Sequence, residues 1–110
     1  MKRGVIISLL LVIFLISCSP PPAKEIPADA VKVDMKDFKF GPETITIKAG
    51  QTIAWANQDT ASHTATAKDG SWTTAELFKG QADVAKFDKP GTYEYYCAIH
   101  PRMKGKVIVE

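Results

Sequence analysis

The stretch "FDKPGTYEYYCAIHPRMKGKVIVE", Phe87 to Glu110, reads as two strands joined by a loop that carries a cysteine, a histidine and a methionine. "TYEYYC" and "GKVIVE" are rich in aromatic and β-branched residues, and "DKPG" ahead of them has the composition of a tight turn. Between the two strands lies "AIHPRMK", where Pro101 works against a helix. Cys97, His100 and Met103 therefore stand at every third position of a loop that has to bend back at one end of the fold.

Upstream, the same alternation continues. "VKVDMKDFKF" sets Val31, Val33 and Met35 against Lys32, Asp34 and Lys36, and "GPE" then predicts a turn. "TITIK" and "TIAWAN" flank "AGQ", which reads as a hairpin, with Ile45, Ile47, Ile53 and Trp55 as core candidates. "HTATA" is a weaker strand and "QADVAKF" a clear one. "KDGSWTTAELFKG" is loop-like, with one helical turn expected over "TAEL" and no chemistry assigned to it. About seven to eight short strands, with no long helix, predict an all-β fold built as a β-sandwich. It occupies residues 31–110, about 80 residues, which is enough for one core and too few for two.

The N-terminus sets the compartment. Lys2 and Arg3 precede an apolar run from Gly4 to Ile16, shorter than the roughly 20 residues an upright membrane span needs. Residues 1–17 read as a secretory signal. The run ends in Leu15-Ile16-Ser17-Cys18, which resembles the bacterial lipobox, and the resemblance implies that Cys18 is acylated as the first residue of the mature chain. The other reading is an uncleaved anchor with an incidental cysteine. Residues 18–30, with "SPPPAKEIPADA", form a Pro/Ala-rich tether. The whole chain has 14 basic and 12 acidic residues; loss of Lys2 and Arg3 leaves the mature chain near neutrality. A nucleic-acid partner is not expected.

With Cys18 lipidated, Cys97 has no disulfide partner. An unpaired thiol in an oxidising compartment needs sequestering, by burial or by a metal. His63, in "NQDTASHT", follows another strand, and antiparallel connectivity can bring it to the end that holds Cys97, His100 and Met103. These are both histidines of the chain, the one cysteine left free once Cys18 is lipidated, and one of the three methionines of the whole chain. Two imidazoles, a thiolate and a weak axial thioether suit copper in either oxidation state. Zinc fits less well, because its closed sites take cysteine, histidine or carboxylate rather than thioether.

The C-terminal stretch resembles the signature of the cupredoxins, the blue copper proteins. Its Cys-x-x-His-x-x-Met spacing is similar to that of the amicyanins, while "ITIKAGQTIAWANQDTASHT" resembles the amicyanin and plastocyanin segment with the first ligand histidine. The resemblance spans about 31–110. It implies a Greek-key sandwich with one copper ion, with His63, Cys97 and His100 as equatorial ligands and Met103 as the axial one. Asn57 resembles a residue that supports the ligands from behind and ties the two ligand loops together. Tyr93 resembles the tyrosine corner of such sandwiches.

Two departures bear on behaviour. Where amicyanins have proline two residues after the cysteine, this chain has Ile99, whose free N–H is expected to donate a second hydrogen bond to the Cys97 sulfur. Arg102 replaces a phenylalanine, and Ala61 and Ser62 replace a bulkier pair, so a weaker apolar docking patch is expected and the amicyanin partner is not carried over.

The resemblance implies a one-electron carrier, with His100, flanked by Pro101 and Arg102, as the port. It would be a monomer on the outer face of a prokaryotic membrane, docking transiently with extracytoplasmic or membrane redox proteins. A periplasmic copper-delivery protein would use the same donors, and a scaffolding role would need none of them. An enzyme is not expected, since a four-donor site leaves no open coordination position and no catalytic pairing is evident.

Overall fold

Alternating apolar and polar positions make strands here because each strand buries one face. The computed structural model describes Gly4 and residues 25–110; the rest of the signal run, Cys18 and the tether up to residue 24 lie outside the described residues. Eight strands follow one another among the described residues: β1 (Val31–Lys36), β2 (Lys39–Gly41), β3 (Thr44–Ile47), β4 (Gln51–Asn57), β5 (Thr66–Ala67), β6 (Ala82–Phe87), β7 (Gly91–Tyr96) and β8 (Lys104–Val109). They form two four-stranded sheets, in the orders β2-β1-β4-β6 and β3-β8-β7-β5. The all-β sandwich is as expected.

The inward faces are the ones the alternation marks. Val33, Met35, Ile53 and Trp55 come from the first sheet and Ile45, Ile47, Tyr95, Val107 and Val109 from the second, all buried in one cluster. Each such side chain contributes about 1.5–3 kcal/mol relative to exposure. Trp72 stacks on Trp55 with ring centroids 5.3 Å apart, and Tyr95 meets Trp55 edge-on at 5.6 Å. Burial pushes the Tyr95 phenol up to about 12. Tyr93 donates its hydroxyl proton to the Lys89 carbonyl at 2.7 Å, which is the corner the sequence implied.

Three local expectations need correction. "AGQ" is no hairpin: β3 pairs in parallel with β8, and β4 in parallel with β1, so the turn carries the chain between sheets. Ile45, Ile47, Ile53 and Trp55 face one another across the core instead of along one sheet. The hairpin lies earlier, between β1 and β2, where Lys36 pairs with Lys39 around Asp37 and Phe38. Finally, "TAEL" forms no helix; its segment runs alongside residues 63–67, with bridges between His63 and Leu77 and between Thr66 and Thr73.

Candidate metal centre

β7 and β8 are paired throughout, from Gly91 opposite Val109 to Tyr96 opposite Lys104. That register forces residues 97–103 into a loop at one end of the sandwich. Two backbone bonds close it: Cys97 N–H donates to the Met103 carbonyl and Met103 N–H to the His100 carbonyl, both at 2.9 Å. Cys97 is fully buried, His100 half-buried and Met103 3% exposed. Arg102 and Lys104 flank Met103, yet the loop turns the thioether side chain inward, into the apolar cluster that also holds Cys97.

His63 lies in the segment between β4 and β5, the connection from the first sheet to the second. Its backbone N–H and carbonyl pair with Leu77 at 3.0 and 2.8 Å, and its ring is completely buried. The His63 Nδ1 lies 3.8 Å from the Cys97 Sγ and 3.2 Å from the His100 Nδ1, which is itself 3.7 Å from the sulfur. An ion bound at about 2.0–2.1 Å to nitrogen and about 2.3 Å to sulfur, with trigonal angles, would hold N···S pairs roughly 3.8 Å and N···N pairs roughly 3.6 Å apart. The three donors already stand at nearly those separations. A site of two imidazoles and one thiolate, with a methionine buried at the same loop, fits copper.

The groups behind the donors differ from the expectation. Asn57 is buried and fully used: its amide donates to the Ala61 and Leu77 carbonyls at 2.9 and 2.8 Å, while its side-chain oxygen accepts the Asp59 N–H at 2.8 Å. It thus shapes the turn before His63 but does not reach the 97–103 loop. Thr64 makes that tie. Its N–H donates to the Cys97 Sγ at 3.4 Å, and its hydroxyl accepts the Ala98 N–H at 2.9 Å. Among the described residues no hydrogen bond runs from the Ile99 N–H to the sulfur, and the Ile99 side chain is exposed. Thr64 was missed in the sequence; its adjacency to His63 was the one available signal.

Two more residues were missed. The Asp59 carboxylate lies 2.8 Å from the His63 Nε2. Partial burial opposes its ionisation, but hydrogen bonds from the Phe38 N–H, His63 and the Asp37 N–H outweigh this and hold its carboxyl below the usual range. Phe38, half exposed, lies edge-on to both histidine rings, with centroids 5.3 Å from His63 and 5.0 Å from His100. Together with Ile99, Pro101 and Arg102 it lines a shallow depression over His100 and Met103. The apolar surface that Arg102 was expected to weaken is therefore rebuilt from the β1–β2 hairpin.

Comparison with known proteins agrees with this geometry. Residues 6–109 match the cupredoxin-like domain family. The chain is 38% identical over 96 residues to amicyanin from Paracoccus versutus, an alignment covering 83% of this chain and 73% of that one. The crystal structure of amicyanin from the same organism superposes with a TM-score of 0.70 at 40% identity, covering 78% of this chain and 86% of the other. A copper-containing nitrite reductase from Thermus scotoductus also superposes, with a TM-score of 0.71 at 30% identity, but this chain covers only 25% of it. The eight-stranded sandwich, the converging histidine, cysteine and histidine, and these matches lead to one statement: the chain belongs to the cupredoxin-like domain family.

Proposed function

We propose that the protein is a one-electron carrier that holds a single copper ion between His63, Cys97, His100 and Met103. The observation that carries this reading is the mutual approach of His63 Nδ1, His100 Nδ1 and Cys97 Sγ to within 3.2–3.8 Å. Bound there, copper supplies reversible exchange between its two oxidation states. The chain supplies the rest. Thr64 N–H stabilises negative charge on the sulfur, and the packed core around Met103 and Cys97 keeps water from it. Because the donors are fixed by β-strand register and by side-chain hydrogen bonds, little needs to move when the charge changes.

His100 is the only half-exposed member of the three, so its ring edge is the port, with Phe38, Ile99, Pro101 and Arg102 around it as the docking face. A mixed apolar and cationic rim of this kind suits brief encounters with an acidic or neutral redox partner. No hydrolytic or reductive activity on a small substrate is assigned, since a four-donor site would leave no open coordination position. Anchorage through lipidated Cys18 and the tether would hold the carrier at the outer face of the membrane; the signal pattern of residues 1–17 supports it.

The visible spectrum tests the reading. Protein loaded with Cu(II) should show an intense thiolate-to-copper band near about 600 nm, as expected for a two-histidine, one-cysteine site with weak axial methionine. Cys97→Ser should abolish the band. A colourless wild-type protein that nonetheless binds and releases copper would favour the copper-delivery alternative.

A further inference from the structure

Asp59 joins two features of the site through its hydrogen bonds. One carboxylate oxygen accepts the Asp37 N–H at 2.8 Å; the other accepts the Phe38 N–H at 3.0 Å and lies 2.8 Å from the His63 Nε2. Asp37 and Phe38 form the tip of the β1–β2 hairpin, with φ of 53° and 57°. Two consecutive residues in that region make a tight hairpin turn that normally calls for Asn-Gly or Asp-Gly, because other side chains are strained there. The sequence offers no glycine at the tip. What it offers, 21 residues away, is an anion that satisfies both tip N–H groups at once.

The same anion has a consequence at the metal centre. An ionised carboxylate only accepts, so a 2.8 Å contact to His63 requires the imidazole proton on Nε2. That leaves the Nδ1 lone pair directed toward Cys97 and His100. We infer that Asp59 is a positioning residue which fixes both the orientation and the tautomer of His63 as a copper ligand, and which latches the β1–β2 hairpin so that Phe38 lies across the two imidazoles. One carboxylate thus couples the hairpin tip of the docking face to the buried ligand. Its consequence for copper rests on the function proposed above; the hydrogen bonds themselves do not.

Three measurements on Asp59→Ala test it. In metal-free protein at pH about 8, NMR reads the solvent exchange of the His63 Nε2–H and of the Asp37 and Phe38 amides. Competition with a chelator reads Cu(I) affinity. All three exchange rates should rise by about tenfold or more, and Cu(I) should bind about 10–100-fold more weakly, as is typical when a ligand loses the group behind it. Phe38→Ala, which keeps its backbone N–H, should leave the His63 proton protected and change affinity by less than about threefold.

Unchanged protection of the His63 proton together with unchanged affinity would overturn the inference. So would faster exchange at the tip amides alone, since Asp59 would then be only a hairpin latch. If Asp59→Ala does not fold, Asp59→Asn carries the test by the same criteria, because its single amide oxygen cannot serve three donors. If wild-type protein takes up no Cu(I), the electron-carrier reading fails while the exchange data still decide the role of Asp59.

Discussion

The two walls of the metal centre are built on opposite principles. On one side, Cys97, His100 and Met103 lie within seven residues, and the loop closes on itself through two backbone hydrogen bonds. On the other, a single donor, His63, is bonded directly by Asp59 and Leu77, while Asn57 fixes the turn before it and Thr64, the next residue, ties its segment to Cys97 and Ala98. The first wall depends mainly on strand register. The second is a small polar network whose members are buried or, like Asp59, partly buried, and low-dielectric surroundings make each unsatisfied group costly.

Asn57 gives the largest test of that contrast. Replacing it with alanine would leave the Ala61 carbonyl and the Asp59 N–H without their partner in a partly buried turn and would remove one of the two bonds to the Leu77 carbonyl, which keeps the His63 N–H. With about 1–3 kcal/mol for each group left unsatisfied, Asn57→Ala should destabilise the metal-free protein by on the order of 2–3 kcal/mol in urea unfolding. Met103→Leu on the other wall keeps its volume and has no hydrogen bond to lose, so it should cost less than about 1.5 kcal/mol. Equal losses for the two variants would show that the walls are not built differently after all.

A second substitution asks whether the self-closing loop is independent of the core beneath it. Gly105 pairs with Tyr95 across β7 and β8, and a Cβ there would fall on the end of the Tyr95 ring. That ring is packed against Phe40 and Trp55, so it has little room to retreat. Gly105→Ala should cost about 1–3 kcal/mol through overpacking. The blue band should also shift, because Tyr95 lies two residues before Cys97. Loss of stability with an unaltered spectrum would mean that the loop is insulated from the strands that carry it.

The same tyrosine predicts an alkaline limb. Its phenol titrates at about 12 in the fold against 10.0 when solvated, so in the interval between them the unfolded chain releases a proton that the folded chain keeps. Stability is therefore complete below about pH 10 and falls as pH rises toward about 12, by on the order of 2 kcal/mol. Tyr95→Phe should flatten that limb in urea titrations taken at successive pH values. A limb that persists unchanged would assign it to other groups.

These contrasts also explain what the sequence disclosed. The sandwich was legible because alternation marks one buried face per strand, and the donor set because Cys97, His100 and Met103 share a loop and only one other histidine exists. Strand partners were not: alternation in "TITIK" and "TIAWAN" says which side chains are buried but not which sheet each strand joins. The true hairpin escaped because Phe38 stands where such a turn calls for glycine, and the tip is held by Asp59 instead. Asn57, Thr64 and Asp59 are neighbours of His63 in sequence, yet their roles follow from contacts with Leu77, Cys97, Ala98 and the hairpin tip. No local pattern encodes such contacts.

Ile99 supplies the smallest expected effect and the finest test of the contrast. From sequence, its N–H was expected to reach the sulfur and raise the potential. In the structure the sulfur's N–H donor is Thr64, from the far wall, while Ile99 is 43% exposed. If electron density on the thiolate is tuned by the scattered wall and not by the loop itself, Ile99→Pro should leave the reduction potential within measurement error of wild type in cyclic voltammetry. A clear fall in potential would mean that the loop closes further around bound copper and that Ile99 then donates as the sequence suggested. Tuning would in that case be shared between the walls, and the self-closing loop would contribute to the chemistry as well as to the positions of its donors.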